Sequence, residues 1–206
     1  MSAATAPCPP TPSDEQLLER FASGDRDALE ELFRRYRAPA YRVAHRLLGQ
    51  EADALDAVQD GFVKALTHLD TFQGRSSFKT WLLRVVSNAA LDLGRQRGRR
   101  ETFSLNGVAS ANGEAYHPMR FDNPTAGLEQ QDLRQALDAA LATLSDAQRQ
   151  TFVLHAEAGL SYREVAEALD ISIGTVMSRL YYTRQKLRAC LGDWMVPGEP
   201  EQRDNH

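Results

Sequence analysis

The sequence predicts an all-α protein of two small helical domains joined by a flexible linker. Apolar residues recur at helical spacing through most of the chain, and no segment alternates with the two-residue period of a half-buried strand. A stretch rich in Gly, Pro and Asn separates two groups of helical segments. With 206 residues, 42% of them hydrophobic, the chain has enough apolar material for a packed core.

The first helical group is expected over residues 13–100, after a Pro-rich disordered tail at residues 1–12. Ser13 is predicted to cap a helix over residues 14–24. A second helix begins near Asp25, with Pro39 at a break or in a first turn, and ends at Gly49. A third is expected over residues 53–72, followed by a tight loop and a fourth helix from Ser77 to about Arg97. The third helix carries one apolar stripe: Leu55, Val58, Phe62, Val63, Leu66 and Leu69.

The second group is expected over residues 128–192, after a linker at 101–127 and before a polar tail at 193–206. Helical periodicity returns at residues 128–144. Ser145 with Gln148, and Ser161 with Glu164, have the spacing of capping boxes that open two short helices. A final helix is expected from Gly174 or Thr175 to about Leu191. Short helix, turn and longer basic helix are typical of a helix-turn-helix.

Two compact basic segments lie in a chain whose net charge is −4. Residues 75–100 hold seven bases against one acid, and residues 175–190 hold four bases and no acid. Such segments indicate a polyanionic partner, because Lys and Arg near phosphates release counterions. The alternative is that basic helix ends merely complement helix dipoles and stay solvated.

Several protein classes lack support in the sequence. No export signal or membrane span is visible, which predicts a cytoplasmic protein, and Cys8 and Cys190 are expected to be free thiols. The five histidines show no metal-ligand spacing, so we expect no metal, no cofactor and no catalytic site. An enzymatic alternative would have Asp53, Asp56 and Asp60 gather a metal ion.

The last helix carries the chemistry of a DNA-reading surface. An α-helix fits the major groove, where Arg can bind guanine and hydroxyl groups can bond base edges or phosphates. A helical hairpin that only binds other proteins is the alternative. The candidate contact residues are Thr175, Met177, Ser178, Arg179, Tyr182 and Arg184.

Aromatic and basic residues alternate in the segment FQGRSSFKTWLLRVVSNAALDLGRQRGRR. Phe72, Phe78 and Trp81 could stack unpaired bases while neighbouring cations follow a phosphate backbone. The alternative is that Phe78 and Trp81, three residues apart, are core residues.

The order of these segments resembles that of an extracytoplasmic-function sigma factor, the compact group-four class of bacterial RNA polymerase initiation subunits. The resemblance rests on DALDAVQDGFVKAL, FQGRSSFKTWLLRVVSNAALD and LSDAQRQTFVLHAEAGLSYREVAEALDISIGTVMSRL, in that order. It implies a region-two helical bundle and a C-terminal region-four helix-turn-helix domain. It also implies a factor that binds core polymerase, recognises the −10 and −35 promoter elements and promotes DNA melting.

The resemblance assigns roles to particular residues. Asp56, Gln59 and Asp60 share a helix face that would dock on the clamp helices of the polymerase β′ subunit, although an ordinary solvated face is the alternative. Region four would dock on the β flap, and residues 175–184 would enter the major groove of the −35 element. An anti-sigma protein is an implied partner. The implied −10 residues are Gln73, Gly74, Ser76, Ser77, Phe78, Lys79, Arg84, Asn88 and Arg95.

Several residues depart from the family pattern. Met177 stands where a cation is usual, and Tyr182 and Thr183 replace a common Arg-Ala or similar pair. Gly61 lies in mid-helix, and Leu55 and Ala57 invert a usual acidic–leucine order. Fewer cations predict −35 binding that is weaker and less sensitive to salt. The competing hypothesis for the whole chain is a dimeric DNA-binding regulator. It would assign no function to the basic–aromatic segment or to the face with Asp56, Gln59 and Asp60.

Overall fold

The structure, a computed structural model, describes residues 11–104 and 136–192. These residues form helices and no strand, so the all-α prediction is confirmed for them. Outside the described residues lie Cys8, most of the N-terminal tail, residues 105–127 of the predicted linker, the beginning of the helix expected at 128, and the tail from 193. The chain divides into two compact units, residues 1–38 and 39–206.

The first unit contains helix α1, Asp14–Ala22, and the beginning of α2, Arg26–Leu48. Ser13 caps α1 as predicted, and its side chain forms a reciprocal capping box with Gln16. The Asp14 carboxylate accepts hydrogen bonds from the Arg35 guanidinium and the Tyr36 hydroxyl, which fixes α1 against α2.

The prediction of a break or a helix start at Pro39 is wrong, because α2 runs through this residue. Proline lacks the amide that would bond the carbonyl four residues earlier, at a cost of about 3 kcal/mol. Ala40, Val43, Ala44 and Leu47 are buried in the turns that follow. Burial of this apolar stripe outweighs the local preference of proline.

The second unit continues with α3, Glu51–Thr67, and α4, Phe78–Ser104. The third helix therefore ends earlier than predicted, and residues 69–71 form a separate 3₁₀ turn. The Thr67 hydroxyl bonds the carbonyls of Val63 and Lys64 at 3.0 Å, which competes with further helix growth. The fourth helix continues past Arg97 into the predicted linker, since Arg and Glu are good helix formers.

Helices α3 and α4 approach each other closely at Gly61. A Cβ atom at this position would lie 2.9 Å from Val86 Cγ2 and 3.0 Å from Val86 Cα. The glycine that departs from the family pattern is therefore a packing residue, which offsets its cost of about 1 kcal/mol against alanine in an isolated helix.

The C-terminal helices are α5 (residues 136–142), α6 (Asp146–Ala156), α7 (Tyr162–Leu169) and α8 (Ile173–Leu191). Both predicted capping boxes are confirmed at Ser145 and Ser161, and Ser172 caps α8. One apolar cluster ties the end of α8 to the start of this group: Leu137, Ala140, Leu141, Leu144, Phe152, Leu187 and Leu191. Within the described residues, no helix combines the length and apolarity that crossing a bilayer requires.

Candidate functional site

Helix α3 presents one exposed face that contains all three candidates for polymerase docking. Asp56, Gln59 and Asp60 are exposed, as their spacing predicts. Asp60 forms an ion pair with Lys64, with 2.8 Å between Oδ2 and Nζ. These polar side chains are therefore available to a partner.

The same face carries three residues of the predicted apolar stripe. Leu55, Val63 and Leu66 are 47%, 52% and 47% exposed, so this part of the stripe lies at the surface. The face that packs against the protein is instead made of small residues and Val58. The signal for it was in the sequence, as small residues at helical spacing: Ala54, Ala57, Gly61 and Ala65.

The loop before α4 offers exposed polar groups. Gln73, Gly74 and Ser77 are exposed and Ser76 is half-buried. Gly74 has a φ of +67°, a backbone conformation that favours glycine. The Ser77 hydroxyl accepts a hydrogen bond from the Thr80 amide at 3.1 Å, which fixes the end of the loop to the first turn of α4.

The aromatic residues beside this loop form a packed cluster. Phe78 and Trp81 are buried, and their ring centroids lie 5.8 Å apart. Half-buried Phe72 packs against both, at 5.9 Å from Phe78 and 5.4 Å from Trp81. This arrangement favours the alternative that Phe78 and Trp81 are core residues, and it gives the loop a rigid base.

The α4 candidates lie on two sides of the helix: Arg84, Asn88 and Arg95 share one side, and Lys79 lies about 140–180° away from them. Lys79 and Arg84 are half-buried, whereas Asn88 and Arg95 are exposed. Arg95 Nη2 lies 3.1 Å from Asp92 Oδ1, within α4 itself. The structure thus brings these four residues along a single helix, as predicted.

Helix α4 also contacts the C-terminal helices, which the sequence did not predict. The buried Gln150 side chain on α6 donates hydrogen bonds to Ser87 Oγ at 3.0 Å and to Asn88 Oδ1 at 2.8 Å. Arg84, Asn88 and Arg179, expected on separate surfaces, line one cleft of about 790 Å³. Residues assigned to two DNA elements are therefore neighbours in this structure.

Further polar contacts support this arrangement. Arg46 Nε donates to Glu157 Oε1 at 2.8 Å, and its Nη1 lies 3.5 Å from Asp138 Oδ1. Thr80 Oγ1 lies 3.5 Å from Glu164 Oε1 on α7. The pKa of Glu164 is lowered, chiefly because the Ser161 backbone amide bonds its carboxylate, with a smaller effect of nearby Lys79.

Helix α8, which contains no acidic residue, carries the −35 candidates. Met177, Ser178, Tyr182 and Arg184 are exposed. Thr175 and Arg179 are half-buried, and Arg179 Nη1 lies 3.5 Å from Thr151 Oγ1 on α6. Sequence reasoning missed Tyr181, which is 58% exposed and whose ring packs edge-on against Tyr182. The signal was the apolar spacing of residues 173, 177 and 181, beside the buried positions on the helix.

The enzymatic alternative receives no geometric support from the part of the chain that the structure describes. No three or more His, Cys, Asp or Glu side chains gather there in a group suited to a metal ion. Asp53, one of the candidate ligands, is engaged by the Arg97 guanidinium.

Comparison with known proteins identifies both helical groups. Residues 32–100 match the family described as Sigma-70 region 2, and residues 134–187 match Sigma-70, region 4. The ECF RNA polymerase sigma-E factor of Escherichia coli K12 is 32% identical over 177 residues, which cover 85% of this chain and 92% of that protein. ECF RNA polymerase sigma factor SigE of Mycolicibacterium smegmatis is 35% identical over 184 residues, covering 86% and 68%.

Solved structures give the same result. The sigma factor RpoE of Bartonella quintana, in complex with the anti-sigma factor NepR, is similar with a TM-score of 0.61 and 29% identity, over 81% of this chain and 98% of that one. CnrH, in complex with the cytosolic domain of CnrY, has a TM-score of 0.64 and 27% identity, over 88% and 99%. With both sigma regions in order and a relative 32% identical over 92% of its length, this chain belongs to the ECF sigma factors, which recognise promoters for transcription initiation.

Proposed function

We propose that the chain binds core RNA polymerase through α3, reads the −10 element with the loop before α4 and reads the −35 element with α8. The observation that carries the proposal is the presence of both sigma regions, each with one exposed face suited to its task. Binding and strand separation need no catalytic group, so we propose that the chain has no enzymatic activity of its own.

The α3 face suits a protein partner better than a nucleic acid. Asp56 and Asp60 would repel phosphate, while exposed Leu55, Val63 and Leu66 offer apolar area that becomes buried on docking. A polar rim beside an apolar centre is typical of protein–protein interfaces. The partner surface we propose is the clamp-helix pair of the β′ subunit, with the β flap as the contact of region four.

The loop and the start of α4 suit single-stranded DNA. Flipping a base costs a few kcal/mol, which contacts in a pocket must recover. Gln73, Gly74, Ser76 and Ser77 supply backbone and side-chain hydrogen-bonding groups, and buried Phe78 supports them from below. Lys79, Arg84 and Arg95 would bind the phosphates that flank the flipped base, and Asn88 would bond a base edge.

Promoter binding requires the two helical groups to separate. The −10 and −35 elements lie about two helical turns apart, a distance of about 70 Å. Asn88 is 2.8 Å from Gln150 in this structure, and Arg84 shares a cleft with Arg179. We propose that α4 releases α6 and α7 when the factor engages DNA. The linker then keeps the loop before α4 and helix α8 at a high effective concentration.

An anti-sigma protein is the remaining proposed partner. The two solved structures named above are complexes, one with an anti-sigma factor and one with the cytosolic domain of CnrY. We propose that such a partner covers the α3 face, and that the factor acts in the cytoplasm, where core polymerase is found.

The proposal is tested by run-off transcription with core polymerase on a promoter library. The wild-type chain is expected to yield transcripts from a subset of templates. Asp56→Arg combined with Gln59→Ala is expected to abolish polymerase binding without loss of helix content, because it reverses charge at the centre of the face. Glu30→Arg, an exposed charge reversal on α2, is the matched control. Retained binding in the double variant would place the docking face elsewhere.

A second test concerns α8. Arg184→Ala is expected to lower the slope of log affinity against log salt by about 0.9 if Arg184 neutralises one phosphate. Titration of a −35 duplex with the holoenzyme at several salt concentrations measures this slope. An unchanged slope would remove Arg184 from the phosphate contacts.

A further inference from the structure

We propose that Met177 and Tyr181 recognise thymine methyl groups in the −35 element, so that this factor selects A·T pairs where a cationic helix would select guanine. This inference rests on the proposed function of α8 and specifies the chemistry that α8 reads. Four observations on α8 carry it.

The first observation is the geometry of the helix face. Successive residues turn by about 100°, so Ile173, Met177 and Tyr181 fall within about 80° of one another. Val176, Leu180, Thr183 and Leu187 are buried on the adjacent arc, the nearest of them about 20° from Ile173. Met177 and Tyr181 are nevertheless exposed, and they lie in the N-terminal half of the helix, the half that a helix-turn-helix places against base edges.

The second observation is the degree of exposure. Ile173, Met177 and Tyr181 are 46%, 54% and 58% exposed. Burial of a large exposed apolar side chain by a partner is favourable, because it removes apolar surface from water. Three of them at a spacing of four residues form a stripe, whereas single exposed apolar residues need no explanation.

The third observation is that the guanine-reading group is turned aside. Bidentate recognition of guanine needs Arg or Lys aimed at the groove. Arg179 is the only cation between residues 173 and 183. Its side chain is half-buried at the flank of the helix, with Nη1 3.5 Å from Thr151 Oγ1.

The fourth observation is the position of the other cations. Arg184, Lys186 and Arg188 follow the apolar stripe, and α8 contains no acid. Lys186 Nζ lies 3.4 Å from Gln148 Oε1, and Arg184 Nη2 lies 3.3 Å from the Tyr162 hydroxyl. The cations thus lie beyond the N-terminal turns, where they can hold phosphates next to an uncharged surface that contacts the bases.

These features select one ligand chemistry. The C5-methyl of thymine is the apolar group that a base pair presents in the major groove, and apolar side chains contact it. The Met177 thioether is flexible enough to follow its position, and the Tyr181 ring offers a broad apolar face. Exposed Ser178, about 60° beyond Tyr181 around the helix, can bond a neighbouring base edge through its hydroxyl.

The experiment uses holoenzyme assembled from core polymerase and the full chain. A duplex library randomised over the upstream promoter region is selected by binding and transcription, and the selected −35 duplex is resynthesised with deoxyuridine in place of each thymidine. This exchange removes only the methyl group. We expect A·T pairs in the selected −35 element and about fourfold weaker binding per methyl contacted, the factor that corresponds to about 0.8 kcal/mol for one buried methyl-sized group.

Three variants locate the contact. Met177→Ala and Tyr181→Ala are each expected to remove the sensitivity to deoxyuridine at one position, and Met177→Arg is expected to shift the selected base there to guanine. Cys190→Ala, an exposed change on the same helix beyond the stripe, is the control and should keep the wild-type pattern. A deoxyuridine effect that survives in both alanine variants would indicate recognition of DNA shape and would overturn the proposal.

The outcomes separate this inference from the proposed function. Wild-type holoenzyme that initiates normally but is insensitive to deoxyuridine, or that selects G·C pairs, would overturn methyl recognition and leave the sigma-factor function intact. Failure to select any duplex in the presence of core polymerase would instead overturn the proposed function itself.

Discussion

Helices α3 and α4 differ from α6 and α7 in what stabilises them. The first two are 17 and 27 residues long, and the α3 N-cap, Gln50, makes no side-chain capping bond. The second two are 11 and 8 residues long, and both begin with a complete capping box. Helices this short are marginal in isolation, so local caps contribute more to them, whereas α3 and α4 depend on close packing against each other.

The largest effect is expected where that packing is closest. Gly61→Ala should lower the free energy of unfolding by about 3 kcal/mol, because the new Cβ meets Val86 backbone and side-chain atoms at 3.0 Å or less. Urea unfolding followed by circular dichroism measures it. Gly174→Ala on α8 is the control, since its nearest contact would be the Ser172 hydroxyl at 3.8 Å. Equal effects at the two glycines would mean that α3 and α4 can move apart easily.

The junction between the two helical groups should give the next effect. Gln150→Ala removes the buried donor to Ser87 and Asn88 and is expected to cost about 2 kcal/mol. Faster amide hydrogen exchange around Ser87 should accompany the loss. Gln185→Ala, an exposed glutamine on α8, is the control. Exchange rates that do not respond would show that α4 and α6 are already apart in solution.

Caps should matter more in the short helices than in the long ones. Ser161→Ala is expected to lower the free energy of unfolding by about 1 kcal/mol, because the hydroxyl bonds the Glu164 amide. Gln50→Ala at the start of α3 should stay within about 0.5 kcal/mol. Thermal or urea unfolding of both variants makes the comparison, and an equal loss at both sites would contradict it.

The smallest effect concerns pH. The lowered pKa of Glu164 means that its carboxylate stabilises the fold above its ordinary value of 4.5, and that this contribution is lost as pH falls through the lowered folded value. Glu164→Gln should therefore be less stable than wild type at pH 7, by a few tenths of a kcal/mol, because water screens this carboxylate. The gap should close on acidification. Unfolding curves at pH 7 and pH 3 test this, and a constant gap would contradict it.

The same comparison explains what the sequence could predict of the fold. Helix starts marked by Ser145 and Ser161 were predicted correctly, because a capping box is a local signal. The course of α2 through Pro39 and the end of α3 at Thr67 were not, because tertiary packing and a side-chain bond to helix carbonyls decide them. The long helices follow interactions that single-sequence periodicity does not contain.

The candidate site shows the same division. Asp56, Gln59 and Asp60 share an exposed face, as their spacing implies. Exposure of Leu55, Val63 and Leu66 was missed, because the alternation of small and large residues on α3 was interpreted by hydrophobicity alone. The contact of Asn88 with Gln150 joins residues 62 positions apart, and no sequence signal marks it.

Among the described residues, Asp170 is the one non-glycine residue with a positive φ, at 53°. It closes α7, and its amide and that of Ile171 both reach the Ala166 carbonyl. A left-handed backbone costs an L-residue roughly 1–2 kcal/mol, less for Asp and Asn than for others. In a laboratory selection for heat resistance alone, we therefore expect Asp170 to be among the first residues replaced, by glycine or asparagine. The angle between α7 and α8 should stay unchanged.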